Sequence, residues 1–122
     1  MVRICGHNFE GWFKKISELS SRTGVYVVGW DGYAVRYTTS SMLRVPFPDL
    51  IKYVDILDVG ESDNIRECVE NHERRSCWER WAKLPDGGKG TMMYAQLLTP
   101  DFQQRKQIVQ EIREKERPPC GM

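Results

Sequence analysis

Several cysteine and histidine residues in this 122-residue chain have a spacing that could support metal binding or nucleophilic catalysis. Cys68 and His72 stand at i and i+4, so on a helix they would share one face. With Cys77, Cys5 and His7 they could ligate zinc, or Cys68 could be a nucleophile with His72 as its base. No spacing among them matches a structural zinc pattern, and no third residue orients the histidine. We therefore expect them to act as packing residues and expect no metal site.

The composition indicates one folded domain without a strong charge bias. The chain has 18 Lys and Arg against 17 Asp and Glu, and 40% of its residues are hydrophobic. With a net charge of +1, nucleic-acid binding would depend on a local basic patch. No apolar run approaches the ~20 residues of a membrane span, and the N-terminal segment does not resemble a signal peptide. We therefore expect a cytoplasmic protein with no membrane contact and with four reduced cysteines.

Basic residues cluster just after the centre of the chain. Glutamates are interleaved with them, which is typical of a solvated mixed-charge surface. They are nevertheless the candidate contacts for a nucleic-acid backbone. These residues are Arg66, Arg74, Arg75, Arg80 and Lys83.

Hydrophobic periodicity predicts the elements that must position these side chains. Apolar residues recur at helical spacing from Phe9 to Leu19, which predicts an N-terminal helix capped by Asn8. Further helices are predicted to begin at Ser62 and at residues 99–101. Trp78 and Trp81 are expected on a continuation of the Ser62 helix through a kink, or on a second helical segment. Strands are predicted over residues 25–28, 33–37, 53–59 and 91–98, with a turn at 30–33 and a loop at 84–90. This order is typical of a single α+β domain over residues 1–122.

Two motifs resemble those of the GIY-YIG nuclease superfamily. Residues 24–26 (GVY) are similar to the first motif half, and residues 59–65 (VGESDNI), with His72 near the end of the following helix, are similar to the second. The resemblance covers residues 24–120 and leaves residues 1–23 as an N-terminal helix and lead-in. It implies a small, mainly antiparallel central sheet flanked by helices, with residues 25–28 and 56–59 on neighbouring strands. It also implies phosphodiester hydrolysis by two tyrosines, an arginine and a glutamate that holds a divalent metal ion.

Most of the catalytic residues that the resemblance implies are missing. Tyr26 matches the first tyrosine, but the second tyrosine falls on Asp58. The arginine falls on Cys68, and the metal-binding glutamate falls on Val109. Without its catalytic partners, Tyr26 is better explained by packing against the sheet than by a catalytic role. Asp58 is better explained by exposure to solvent at a strand end, because one carboxylate makes a poor metal site. Cys68 is expected to be buried.

Neighbouring side chains do not offer a simple replacement. Arg66 lies two residues from Cys68, and Glu111 lies two residues from Val109. At about 100° per helical residue, the members of each pair point about 200° apart. Both substitutes are therefore expected to point away from the site.

The sequence favours a GIY-YIG-like protein that binds nucleic acid or another partner without cleaving it and that needs no cofactor. One alternative is an active DNA endonuclease that uses a shifted residue set with Mg²⁺ or Mn²⁺. The other is an α+β interaction or dimerisation module that is unrelated to nucleic acid and could form a homo-oligomer.

Overall fold

The computed structural model describes residues 1–30, 54–82 and 92–121, which form five strands and three α-helices. The strands are β1 (Val2–Ile4), β2 (His7–Phe13), β3 (Gly24–Trp30), β4 (Asp55–Ser62) and β5 (Met92–Leu98). The helices are α1 (Ile65–Glu70), α2 (Arg75–Ala82) and α3 (Phe102–Glu116), and a 3₁₀ turn spans Ile16–Glu18. The strand predicted over residues 33–37, the turn at 30–33 beyond Trp30, the loop at 84–90 and the candidate Lys83 lie outside the described residues.

The strands form one sheet in the order β1-β2-β5-β3-β4, and every neighbouring pair is antiparallel. This confirms the predicted α+β class. The pairing of β3 with β4 places Tyr26 directly opposite Gly60, so residues 25–28 and 56–59 do lie on neighbouring strands. All of β3 is buried because it lies between β4 and β5 and is covered on both faces.

The sheet separates two apolar clusters. On one face Tyr26, Val28 and Leu57 pack with side chains of α1 and α2. On the other face Val25, Val27 and residues of β4 and β5 pack with α3. The alternation of side chains along β3 therefore supplies both clusters.

The predicted N-terminal helix is wrong, because residues 2–13 form the β1–β2 hairpin. Phe9 belongs to the cluster on the α3 side of the sheet, whereas Phe13 and Leu19 belong to the other cluster. A helix would place these side chains on one face. The register of β2 shifts between Glu10 and Phe13, which redirects the following side chains to the opposite side.

Helices follow β4 and β5 as predicted, but the first of them is shorter than expected and is capped by a different residue. Asn64, not Ser62, caps α1, and its side-chain oxygen accepts a hydrogen bond from the backbone N–H of Glu67. Cys68 on α1 is only half-buried, so the expected full burial is wrong. Trp78 lies on a separate helix, α2. Asp101 caps α3 through the N–H of Gln104.

A disulfide bond joins Cys77 on α2 to Cys120 in the C-terminal tail, 43 residues away in sequence. The expectation of four reduced cysteines is therefore wrong, although Cys5 and Cys68 do remain thiols. Disulfides are rare in reducing compartments, so this bond weighs against the cytoplasmic location, which stays a prediction. None of the helices in the described ranges is long and apolar enough to cross a membrane.

The disulfide makes a direct prediction about stability. Cys120→Ser should lower the free energy of unfolding by about 2–4 kcal/mol, because the bond closes a long loop and restricts the unfolded chain. Urea unfolding of the variant and of the wild type measures the difference. Cys5→Ser is the matched control and should leave stability nearly unchanged. Detection of four reactive thiols in the denatured, unreduced wild type would contradict the assignment of the bond.

Candidate functional site

Asp58 is a buried carboxylate, with 0% of its surface exposed. The guanidinium of Arg74 donates to it twice, through Nε to Oδ2 (2.9 Å) and through Nη2 to Oδ1 (3.2 Å). Trp78 Nε1 donates to Oδ2 (2.8 Å) and the backbone N–H of Val59 to Oδ1 (2.8 Å). The expectation of a solvent-exposed Asp58 is therefore wrong, because a cation and two neutral donors compensate its burial.

The C-terminal tail covers Asp58. The backbone N–H of Cys120 donates to the carbonyl oxygen of Leu57 (2.9 Å), which holds the tail against β4. A Cβ atom added to Gly121 would lie 2.6 Å from Asp58 Oδ1, so the tail backbone passes directly over the carboxylate. Since the disulfide fixes this tail, Asp58 is not available as a ligand for a metal ion.

Tyr26 reaches the edge of the sheet by crossing Gly60. The two residues are direct partners on β3 and β4. A Cβ atom at Gly60 would lie 2.6 Å from Cζ of the Tyr26 ring. The absence of a side chain at Gly60 therefore allows the phenol to lie over β4, the last strand of the described sheet.

His72 is held as a neutral ring by its two hydrogen bonds. The backbone N–H of Arg74 points at His72 Nδ1 (3.0 Å) and can only donate, so Nδ1 carries no hydrogen. The ring hydrogen must then lie on Nε2, which donates to the Tyr26 hydroxyl oxygen (2.8 Å). Burial also lowers the pKa of His72, which favours the same uncharged form.

The Tyr26 hydroxyl is consequently a neutral donor. Burial, followed by the nearby Cys68 and Asp58, raises its pKa well above the usual tyrosine range. His72 cannot take its proton, because His72 Nε2 already carries one. Tyr26 therefore keeps its phenolic hydrogen, which it can offer to an acceptor.

The cysteines and histidines are not arranged as a zinc site or as a nucleophile with its base. Cys68 Sγ lies 3.9 Å from the Tyr26 hydroxyl, and His72 turns its Nε2 to the same hydroxyl instead of to the thiol. Cys77 is in the disulfide, while His7 pairs with Glu111 on α3 (2.7 Å). The zinc ligands considered from the sequence do not converge, and the described part of the chain contains no group of three or more potential metal ligands.

A cleft of about 490 Å³ lies between the edge strand β4 and helix α3, next to Tyr26. The structure thus brings Tyr26 and Val109 to one cleft, with Asp58 buried nearby and Cys68 on the α1 side of the phenol. The residues that line the cleft are Tyr26, Gly60, Glu61, Arg74, Lys106, Val109, Gln110 and Arg113.

Two of the cations in this cleft have no carboxylate partner among the described residues. Glu61 is paired with Arg105 (2.9 Å), and Arg74 is paired with Asp58. Lys106 Nζ lies 4.7 Å from the centre of the Phe102 ring. Arg113 Nη2 donates to a backbone carbonyl oxygen (3.4 Å), and its buried Nε has no acceptor. The cleft therefore has an excess of positive charge and an unused buried donor.

Most of the described basic residues that the sequence suggested as nucleic-acid contacts lie outside the cleft. Of the four that the structure describes, Arg74 alone lines the cleft. Arg66 and Arg75 donate to backbone carbonyl oxygens at 2.7 and 2.8 Å, and Arg80 is exposed on α2. The sequence argument missed Lys106 and Arg113, although their positions at i−3 and i+4 from Val109 place them on its side of a helix.

Removal of the cation from the Asp58–Arg74 pair should destabilise the fold. Arg74→Met should lower the free energy of unfolding by about 3 kcal/mol, because it leaves a buried carboxylate without its charge partner. Arg75→Met is the matched control, since this neighbouring exposed arginine contacts a backbone carbonyl, and should change stability by less than about 0.5 kcal/mol. Equal effects of the two substitutions in urea unfolding would contradict the pair's role.

The His72 geometry predicts a pH dependence. Its pKa should lie below the ordinary value of about 6.5, so its contribution to stability is complete above that pH and is lost as the pH falls through the lower, folded-state value. Nitrogen-15 NMR of a His7→Gln variant, which leaves His72 as the single histidine, should show hydrogen on Nε2 near neutral pH. Hydrogen on Nδ1, or a raised pKa, would contradict this assignment.

Comparisons with known proteins do not assign the chain to a family. No protein-family model matches the chain, and neither a curated protein nor a solved structure is detectably similar to it.

Proposed function

We propose that this protein is a GIY-YIG-like domain that binds the phosphate backbone of a nucleic acid in the cleft between β4 and α3 and does not cleave it. The observation that carries the proposal is the pair of cations, Lys106 and Arg113, that lack carboxylate partners among the described residues beside the neutral Tyr26 hydroxyl. Phosphate oxygens are acceptors for all three groups, and guanidinium–phosphate hydrogen bonds are among the stronger ones in proteins.

The described residues of the cleft are not arranged for the proton transfer that hydrolysis would require. Tyr26 cannot pass its proton to His72, which already donates to it. Arg74 is held by two hydrogen bonds to Asp58, which neutralises its charge. These constraints favour binding over activation of a water or of the phenol.

A divalent ion of the kind that the family resemblance implies does not fit these residues. Val109, at the position of the expected glutamate, has no oxygen in its side chain. Among the described residues, Glu61 is the carboxylate that lines the cleft, and Arg105 pairs with it at 2.9 Å. A hard cation needs oxygen ligands that are not already neutralised, so no step of the proposed function passes through a metal.

Fluorescence anisotropy with a labelled oligonucleotide of about 20 residues tests the proposal at about 50 mM salt, where phosphate contacts contribute strongly. Lys106→Glu should weaken binding about tenfold, because it reverses a charge at the backbone site. Lys115→Glu is the matched control: it makes the same change on α3, nine residues away and therefore about 180° around the helix.

The control variant should lose about twofold at most, through the change in net charge alone. Equal losses for the two variants would show that the cleft is not the binding site. Failure of the wild type to bind any oligonucleotide saturably would overturn the proposed function.

A further inference from the structure

One face of α3 extends the positive surface beyond the cleft. A second groove of about 640 Å³ shares Gln110 and Arg113 with the cleft and continues to Arg117 and Gly121. Lys106, Gln110, Arg113 and Arg117 follow one another at spacings of four, three and four residues, which places them on one side of the helix. The cleft and the groove are therefore parts of one continuous track.

The charges of α3 are divided between its two sides. Glu111 faces His7 of the β1–β2 hairpin, and Glu116 Oε1 lies 4.0 Å from Cys5 Sγ on the same side. On the track side, Glu114 lines the groove and accepts a hydrogen bond from Gln110 Nε2 (3.2 Å). On this side of α3, three cations face this one carboxylate. Glu61, on the opposite wall of the cleft, is paired with Arg105, so the track carries an excess of positive charge.

An exposed aromatic ring stands at the start of this track. Phe102, the first residue of α3, is 49% exposed. Lys106 Nζ lies 4.7 Å and Arg105 Cζ 5.6 Å from the centre of its ring. A phosphate bound at Lys106 would therefore bring its own or a neighbouring base close to an aromatic surface.

A row of cations beside an exposed aromatic ring is suited to single-stranded nucleic acid more than to a duplex. An aromatic side chain can stack on an unpaired base, whereas the bases of a duplex are already stacked on each other. Phe102 and Arg117 are separated by about 22 Å along the helix, which is long enough for a backbone to contact several cations. Stacking platforms combined with a cationic groove are the usual means of binding single strands.

We infer that α3 binds a single-stranded segment of nucleic acid, with an unpaired base stacked on Phe102 and phosphates on Lys106, Arg113 and Arg117. The inference rests on the proposed function and adds to it the form of the nucleic acid and its path along the helix.

Anisotropy titrations of the full chain with an oligothymidine and with a duplex of equal length test the inference. The single strand should bind more tightly than the duplex. Phe102→Ala should weaken single-strand binding about 5- to 160-fold, the usual loss for one stacked base, and leave duplex binding unchanged. Phe102→Trp should retain the affinity for the single strand.

Trp81→Ala is the control for loss of an exposed aromatic residue, since Trp81 is 37% exposed on α2, and should have no effect. Arg117→Ala should reduce the slope of log affinity against log salt by about 0.7, the value for one phosphate contact on a single strand. Circular dichroism checks that each variant is folded.

The outcomes separate the inference from the proposed function. If the duplex binds as tightly as the single strand and Phe102→Ala changes nothing, while Lys106→Glu still weakens binding, the inference is wrong and the proposed function stands. If no nucleic acid binds, both are wrong.

Discussion

The hydrogen bonds between the buried Asp58 carboxylate and the Arg74 guanidinium fix the geometry of the whole site. Because Arg74 is anchored there, its backbone N–H is directed at His72 Nδ1 and sets the tautomer of that ring. The tautomer in turn makes His72 a donor to Tyr26. Trp78 and the C-terminal tail close over the carboxylate, so α2 and the disulfide stabilise the same arrangement.

This arrangement divides the cations of the site into two kinds. Arg74 compensates a buried charge, and its removal should affect stability first. Lys106 and Arg113 lie on a helix that packs on the other face of the sheet, and no carboxylate in the described ranges pairs with them. The proposed phosphate binding on α3 therefore does not disturb the pair that holds the fold together.

The sequence predicted the elements whose signals are local. The dense apolar runs of β3, β4 and β5 and the Thr-Pro-Asp segment at residues 99–101 led to the observed elements. The N-terminal hairpin was missed because its apolar residues serve two opposite faces of the sheet and imitate helical spacing. The burial of Asp58 depends on residues 16 and 20 positions away, and the disulfide on one 43 positions away, so no local pattern could indicate them.

A cleavage assay tests most directly whether the site binds without cutting. Purified protein should produce no nicking above background on supercoiled DNA, branched DNA or RNA with Mg²⁺ or Mn²⁺, because Tyr26 stays neutral and the residues of the cleft do not fit a metal ion. Tyr26→Phe, which removes the hydroxyl and keeps the ring, should behave identically in this assay. Cleavage by the wild type that Tyr26→Phe abolishes would contradict the account and show an active endonuclease with a shifted set of residues.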